Sequence, residues 1–169
     1  IDFSVLEGCV RETLDATAER RMAVINPLKL IISNLPGNHQ ETLGFQNHPK
    51  NEDAGKREVP FSNELWIDAE DFMAEPVAGY HRLIPGGEVR LRGVGIVKCE
   101  NVLMQDGLVS ELHCTLDPDS RSGMEGSKRK VKGTIHWVCA KRAVPAEFRL
   151  FDRLFTVENP DSDDDGRTY

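Results

Sequence analysis

The sequence predicts a mainly β fold, a small barrel or sandwich, preceded by one α-helix. Apolar residues recur at helical spacing only near the start of the chain. From about residue 80 onward, short β-type runs follow one another and are separated by turn residues. The length of 169 residues favours one domain or two small ones, each able to bury a modest core.

The helix is predicted over residues 4–18. Leu6, Val10 and Leu14 recur at helical spacing, and Ser4 with Glu7 forms an S-x-x-E capping box, which satisfies free amides at a helix start. Because the apolar residues make a stripe on one face, we expect this helix to pack on a neighbouring domain.

The segment after the helix is predicted to contain two strands and a long loop. Residues 26–34, "NPLKLIISN", carry β-branched residues between a proline and turn residues, which is typical of a strand. Residues 45–60 are rich in Pro, Gly, Asn and charge and show neither period, so they are predicted to be a loop. "FSNELWI", residues 61–67, favours a short strand, and Asp68 with Asp71 are candidates to cap a brief helical turn after it.

The second half is predicted to be strand after strand. Residues 87–118 hold two or three β runs, with Asp106 and Gly107 as the signal for a tight hairpin turn. Further strands are expected at 129–140, "RKVKGTIHWVCA", and at 146–157. Residues 158–169 are acidic and lack an apolar period, so we expect a solvated, mobile tail.

Composition excludes several classes of function. No apolar run approaches the roughly 18 to 20 residues that a membrane helix needs, so no membrane partner is expected. The formal net charge of −7 argues against a non-specific DNA-binding protein. The start of the chain has no Met and no signal-peptide pattern, which suggests a cut inside a longer protein. The four scattered cysteines favour free thiols and a cytoplasmic setting.

No known catalytic or metal-binding motif is present. The sequence contains no G-x-S-x-G, H-E-x-x-H, P-loop or G-x-G-x-x-G pattern, and its five histidines never fall in pairs at ligand spacing. We therefore expect no catalytic, cofactor or metal site in this chain. His136 is expected to be a hydrogen-bonded residue of the barrel wall, because strand alternation places it opposite Ile135 and Trp137.

One stretch is locally positive in this acidic chain. Residues 79–92 hold three arginines against one acid, and alternation places Arg90 and Arg92 on the same strand face. A turn brings Arg82 towards them, and Tyr80 and His81 add rings that can stack on unpaired bases. Taken alone, the pattern favours a solvated strand that merely carries arginines. The second basic run, "SKRKVK" at 127–132, is likewise interpreted first as a solvated rim.

Several landmarks in order resemble the anticodon-binding region of the glutaminyl-tRNA synthetase family. They are "RMAVINPLKLIISN", "NHPKNEDAGKREVPFSNELWID", "YHRLIPGGEVRLR", "RKVKGTIHWVCA" and "EFRLFDRLFTVENP". The resemblance as a whole covers about residues 4–160. The resemblance implies two consecutive small β-barrels of the ribosomal-protein-like kind, preceded by a helix. It maps 1–19 to the end of a helical subdomain, 20–76 to the first part of a proximal barrel, 77–157 to a distal barrel and 158–169 to a tail that leads back to the proximal barrel.

The resemblance also implies the partner and the residues that contact it. Arg20, Arg82, Arg90 and Arg92 match arginines that bind the anticodon loop, and Tyr80 and His81 are possible further contacts. Gly79 and His81 depart from a glutamine and a lysine that some members show. The partner is then glutamine tRNA, with the catalytic and helical domains of the parent enzyme as intramolecular neighbours and no DNA. ATP and Mg²⁺ are implied for the parent ligase but not for this piece.

Two other interpretations stay open. An archaeal or eukaryotic-type glutamyl-tRNA synthetase has related anticodon-binding barrels, although "NHP" with "VPFSNELWID" favours the glutamine enzyme. A free-standing barrel that binds ribosomal RNA or protein is the other, and the apolar stripe of the first helix argues against it.

Overall fold

The computed structural model describes residues 3–152, and its first element is the predicted helix. Helix α1 spans Phe3–Thr17, so Ser4 lies within the first turn rather than before it. None of the helix side chains is buried against the remainder of the described chain. Leu6, Val10 and Leu14 are each about half exposed, so the predicted apolar stripe forms and faces outward.

Nine strands follow within residues 3–152. Their bounds are β1 Pro27–Ile32, β2 Gln40–Gln46, β3 Lys56–Ser62, β4 Glu64–Asp68, β5 Glu88–Leu91, β6 Gly95–Gln105, β7 Leu108–Asp117, β8 Thr134–Ile135 and β9 Val138–Cys139. Strands β2 and β3 pair as a separate hairpin, and the other seven form one sheet in the order β8-β5-β6-β7-β1-β4-β9. The mainly β architecture behind one helix is therefore confirmed.

The order of the strands shows how the sheet curls. Strands β8 and β9 are adjacent in sequence but lie at opposite edges of the sheet, β8 parallel to β5 and β9 antiparallel to β4. Residues 134–139 therefore bridge the two edges and turn the sheet into a barrel-like wall. Trp137 lies between the two short strands with its side chain fully buried.

The core fills the inside of this curled sheet. Alternate residues point inward, as Leu28, Leu30 and Ile32 do on β1, and the same alternation continues on β4, β5 and β7. The Trp137 ring packs edge-on against Phe61, with ring centroids 5.3 Å apart, and against Phe45 at 6.4 Å. These aromatic contacts join the β2–β3 hairpin to the main sheet.

The sequence predictions hold for β1, β4 and the β6–β7 hairpin. Asp106 and Gly107 form its turn with φ values of 52° and 79°, as a two-residue turn of this type requires. The brief helical turn at Ala69–Asp71 also forms. The predicted cap does not, because the Asp68 carboxylate accepts hydrogen bonds from the amides of Ile25 and Asn26 at 2.9 and 3.2 Å.

Three predicted elements are wrong in part. The loop over 45–60 is shorter, because β2 and β3 occupy both of its ends. The strand over 129–140 is split in two, because its residues must cross from one edge of the sheet to the other. The described part of the strand at 146–157, residues 146–152, pairs with no other strand described, and its remaining residues lie outside the described range.

Strands that come before and after residue 76 in the sequence lie in the same seven-stranded sheet. Strand β1 has β4 as one neighbour, which precedes residue 76, and β7 as the other, which follows it. The domain boundaries at 19, 76 and 157 remain predictions, and the acidic tail at 158–169 lies outside the described residues. Within residues 3–152, no helix has the length and apolar character needed to cross a lipid bilayer.

Candidate nucleic-acid interface

Strand β8 is one edge of the curled sheet, and β5 is its neighbour. The outer face of these two strands brings several of the predicted residues together. The register pairs Arg90 with Thr134, and the amides of Arg90 and Arg92 donate to the carbonyls of Gly133 and Ile135. The chain at His81 passes so close to Gly133 that a Cβ on that glycine would lie 2.0 Å from the His81 carbonyl oxygen. Residues 81–82, 90–92 and 132–136 therefore form a single surface, which we call the cationic edge.

Arg82 is held at this edge by two contacts. Its Nη1 donates to the Thr134 carbonyl at 2.9 Å, and its Nε lies 3.3 Å from an Asp71 carboxylate oxygen. The Asp71 side chain is only 13% exposed, and this burial raises its pKa although Arg82 acts in the opposite direction. The Arg82 side chain is 46% exposed, so it can still meet a ligand from the solvent side.

Tyr80 and His81 precede Arg82 on the same surface. The Tyr80 hydroxyl donates to the Glu70 carbonyl at 3.0 Å, and burial, with the Asp71 charge second, raises the pKa of Tyr80 to about 12. The His81 side chain is exposed and available for stacking.

Arg90 is engaged more completely than the sequence suggests. Its guanidinium donates to the carbonyls of Ser120 at 3.1 Å, Ser127 at 3.1 Å and Arg129 at 2.8 Å. These are backbone groups of the loop between β7 and β8. In this conformation Arg90 holds that loop against β5, and a contact with a base would have to replace one of these bonds.

Arg92 differs from the other predicted arginines. Its side chain is exposed and has no hydrogen bond or ion pair within residues 3–152. Its backbone is fixed on both sides, because the amide donates to Ile135 and the carbonyl accepts from Trp137 Nε1 at 3.0 Å. The structure thus presents a free guanidinium from a rigid position, the combination that binding to a planar base edge needs.

Arg20 lies away from the cationic edge, at the end of α1. Its guanidinium donates to the carbonyls of Leu14, Ala18 and Asp15 and forms a 2.7 Å ion pair with the Asp15 carboxylate. A hydrogen bond from Lys50, followed by its charge, lowers the pKa of Asp15. Arg20 therefore stabilises the last turn of the helix in this conformation.

His136 has the structural contacts that its wall position predicted. Its Nε2 lies 2.6 Å from the Ala23 carbonyl and 3.2 Å from an Asp68 carboxylate oxygen. Asp68, Asp71 and His136 form the one group of three potential metal ligands among residues 3–152. Each of them already has a protein partner, namely the amides of residues 25 and 26, Arg82 and Ala23, so we assign no metal to this group.

The partners of the arginines could not be predicted from the sequence. Arg129 pairs with Glu88 at 2.7 Å and with Asp117 at 2.9 Å, which removes Glu88 as an opposing charge at the cationic edge. The only signal in the sequence was the basic run at 127–132, and nothing local indicated that it would lie beside β5.

A curled sheet of short strands with arginines along one edge is typical of β-barrel modules that bind nucleic acid. A family model described as tRNA synthetases class I (E and Q), anti-codon binding domain, matches residues 18–117, and a second model of the same description matches residues 134–167. The chain belongs to this family of anticodon-binding domains.

Curated relatives agree with the family models. A glutamine-tRNA ligase of Xanthomonas euvesicatoria pv. vesicatoria (strain 85-10) is 63% identical over 170 residues, and one of Xanthomonas axonopodis pv. citri (strain 306) is 62% identical. A glutamine-tRNA ligase of Xylella fastidiosa (strain M12) is 59% identical. Each match covers 100% of this chain, and the chain spans 29% of the length of each relative.

Proposed function

We propose that this chain is the anticodon-binding region of a glutaminyl-tRNA synthetase and binds the anticodon loop of glutamine tRNA. The parent enzyme then charges that tRNA with glutamine in the cytoplasm, using ATP and Mg²⁺ bound outside this piece, which itself performs no bond-making step. The names of the relatives favour glutamine tRNA over glutamate tRNA. The exposed apolar face of α1 supports packing against the helical or catalytic part of the parent.

The observation that carries the proposal is the free guanidinium of Arg92 on a rigid backbone beside Arg82 and Arg90. Unpaired anticodon bases expose their hydrogen-bonding edges, and a planar guanidinium can donate two parallel bonds to such an edge. Tyr80 and His81 lie on the same surface and supply rings for stacking. Arg82 and Arg90 reinforce the positive potential while they hold the neighbouring backbone in place.

Arg20 takes part in a different way. Its contacts lie at the junction of α1 and the loop at 47–50, where His48 Nε2 lies 2.6 Å from the Asp15 carbonyl. A base bound by Arg20 would replace the Asp15 carboxylate, so we place this contact second to that of Arg92.

Binding to RNA fragments tests the proposal. The wild-type chain should bind the anticodon stem-loop of glutamine tRNA more tightly than a minihelix of the acceptor stem. Arg92→Ala should weaken binding to the stem-loop by about 1–3 kcal/mol if the contact to the base is bidentate. Arg142→Ala is the matched control, because Arg142 is also exposed and has no ion pair within residues 3–152.

Equal binding of the two RNAs, or equal binding by the wild type and Arg92→Ala, would contradict the proposal. A stem-loop that carries the glutamate anticodon is the third RNA. Tighter binding of that RNA would move the assignment to glutamyl-tRNA synthetase.

A further inference from the structure

The loop after β7 lies alongside β5 and carries a basic stretch with three lysines. Residues 127–134 contain four basic residues and no acidic residue, in a chain with 28 acids and 21 bases. Arg129 forms ion pairs with both Glu88 and Asp117 and so adds no positive charge to this stretch. The side chains of Lys128, Lys130 and Lys132 are exposed and have no hydrogen bond or ion pair within residues 3–152.

The loop that carries these lysines is fixed in place. Arg90 binds three of its carbonyls, and Ser120, which is fully buried, accepts from the Ile96 amide at 2.7 Å and donates to the Asp117 carbonyl at 2.6 Å. Gly126 lies against the Asp119 backbone, so closely that a Cβ there would lie 2.8 Å from the Asp119 oxygen. The lysines therefore project from an anchored backbone and not from a flexible tail.

The chemistry of the lysines selects phosphate as the ligand. An ammonium is a compact point charge that binds phosphate oxygens in many directions, whereas a guanidinium suits the planar edge of a base. Within residues 3–152 these three ammonium groups have no acidic partner, so they stay hydrated and their charges are available to a ligand. Because the loop lies alongside β5, RNA bases that reach Arg92 bring their own backbone phosphates past it.

We propose that Lys128, Lys130 and Lys132 form a phosphate-contact surface for the RNA backbone that flanks the anticodon loop. This inference rests on the proposed function and adds a division of roles to it. The lysines supply affinity that does not depend on base sequence, and Arg92 supplies discrimination between bases.

The test compares two triple variants of the full chain with equal net charge. One carries Lys128→Gln, Lys130→Gln and Lys132→Gln. The control carries Arg11→Gln, Lys56→Gln and Arg142→Gln, three exposed cations that also lack an ion pair within residues 3–152 and lie outside the loop. Both variants lower the net charge from −7 to −10, since each removes three positive charges.

Dissociation constants for the glutamine anticodon stem-loop are measured at several salt concentrations. The logarithm of the affinity falls with the logarithm of the salt concentration, with a slope of about 0.7–0.9 per phosphate contact. If three contacts are lost, the fall in affinity between about 50 and about 200 mM salt should be roughly 20- to 40-fold smaller for the lysine variant than for the wild type. The control variant should keep the wild-type slope. The ratio of affinities for the glutamine stem-loop and an anticodon-swapped stem-loop should be the same in the lysine variant and the wild type.

Two results would overturn the inference: the same salt slope in both triple variants, or a changed affinity ratio in the lysine variant. The acceptor minihelix separates this failure from that of the proposed function. If the wild type still prefers the stem-loop to the minihelix, only the lysine surface is rejected. If the wild type shows no preference, both proposals are rejected.

Discussion

Gly133 is the position where one added methyl group should disturb both the fold and the cationic edge. Its φ of 93° is strained for any residue with a side chain, at about 1–2 kcal/mol. A Cβ would also lie 2.0 Å from the His81 carbonyl oxygen, so the two backbone segments must separate by about 1 Å. That shift breaks the bonds from Arg82 to the Thr134 carbonyl and from the Arg90 amide to the Gly133 carbonyl, each worth about 0.5–1.5 kcal/mol. Gly133→Ala should therefore lower the free energy of unfolding by about 2–5 kcal/mol.

Gly123→Ala is the matched control for this prediction. Gly123 has a similar φ of 88°, but nothing lies within 4 Å of its added Cβ. Only the backbone strain of about 1–2 kcal/mol should appear there. Urea unfolding followed by tryptophan fluorescence measures both variants. Equal destabilisation of the two variants would refute the close approach of residues 81 and 133.

Two further predictions concern the barrel wall, and a third concerns helix α1. Trp137→Phe keeps an aromatic ring but leaves the Arg92 carbonyl without its donor, so urea unfolding should show a loss of about 1–3 kcal/mol. The hydrogen bond from Lys29 lowers the pKa of the Glu64 carboxyl. The ionised carboxyl therefore stabilises the fold above its unfolded-state pKa, and this contribution is lost as the pH falls through its folded-state pKa. Glu64→Gln should therefore flatten the fall of the urea midpoint between about pH 5 and pH 3, and an unchanged slope contradicts this. Cys9 is the one exposed thiol among the four cysteines, so a thiol reagent should label one cysteine in the native chain and four in denaturant.

The strands that the sequence predicted correctly have a clear signal on one face. On β1 the buried leucines and isoleucine alternate with half-buried residues, and in the β6–β7 hairpin the turn itself is encoded by Asp106 and Gly107. The sequence did not predict the β2–β3 hairpin, because exposed and half-buried residues alternate along most of both strands and few apolar residues mark that alternation. Pro60 within β3 also argued for a loop, but a two-stranded sheet has only edges, and an edge strand tolerates proline.

The exposed placement of two candidate arginines could be predicted from the sequence, but their contacts could not. Alternation correctly placed Arg90 and Arg92 on the outside of the barrel wall, since Val89 and Leu91 between them are fully buried. The carbonyls that Arg90 binds lie 30–39 residues further along the chain. No local pattern encodes such a contact, because it depends on how the loop after β7 folds back over β5. The sequence therefore could not show which of the candidate arginines has its guanidinium engaged by the backbone and which does not.

The position of that free arginine follows from the way the sheet closes. Trp137 can bridge the two edges only by burying its ring between Phe61 and Phe45, and its buried N–H must then find an acceptor. The acceptor is the carbonyl of Arg92, at the end of the neighbouring strand. The bond that satisfies the largest core side chain thus also fixes the backbone from which the exposed guanidinium projects. Because residues 128–139 supply both this closure and the three lysines, we expect a change in barrel packing there to alter the proposed RNA binding even where it touches no RNA.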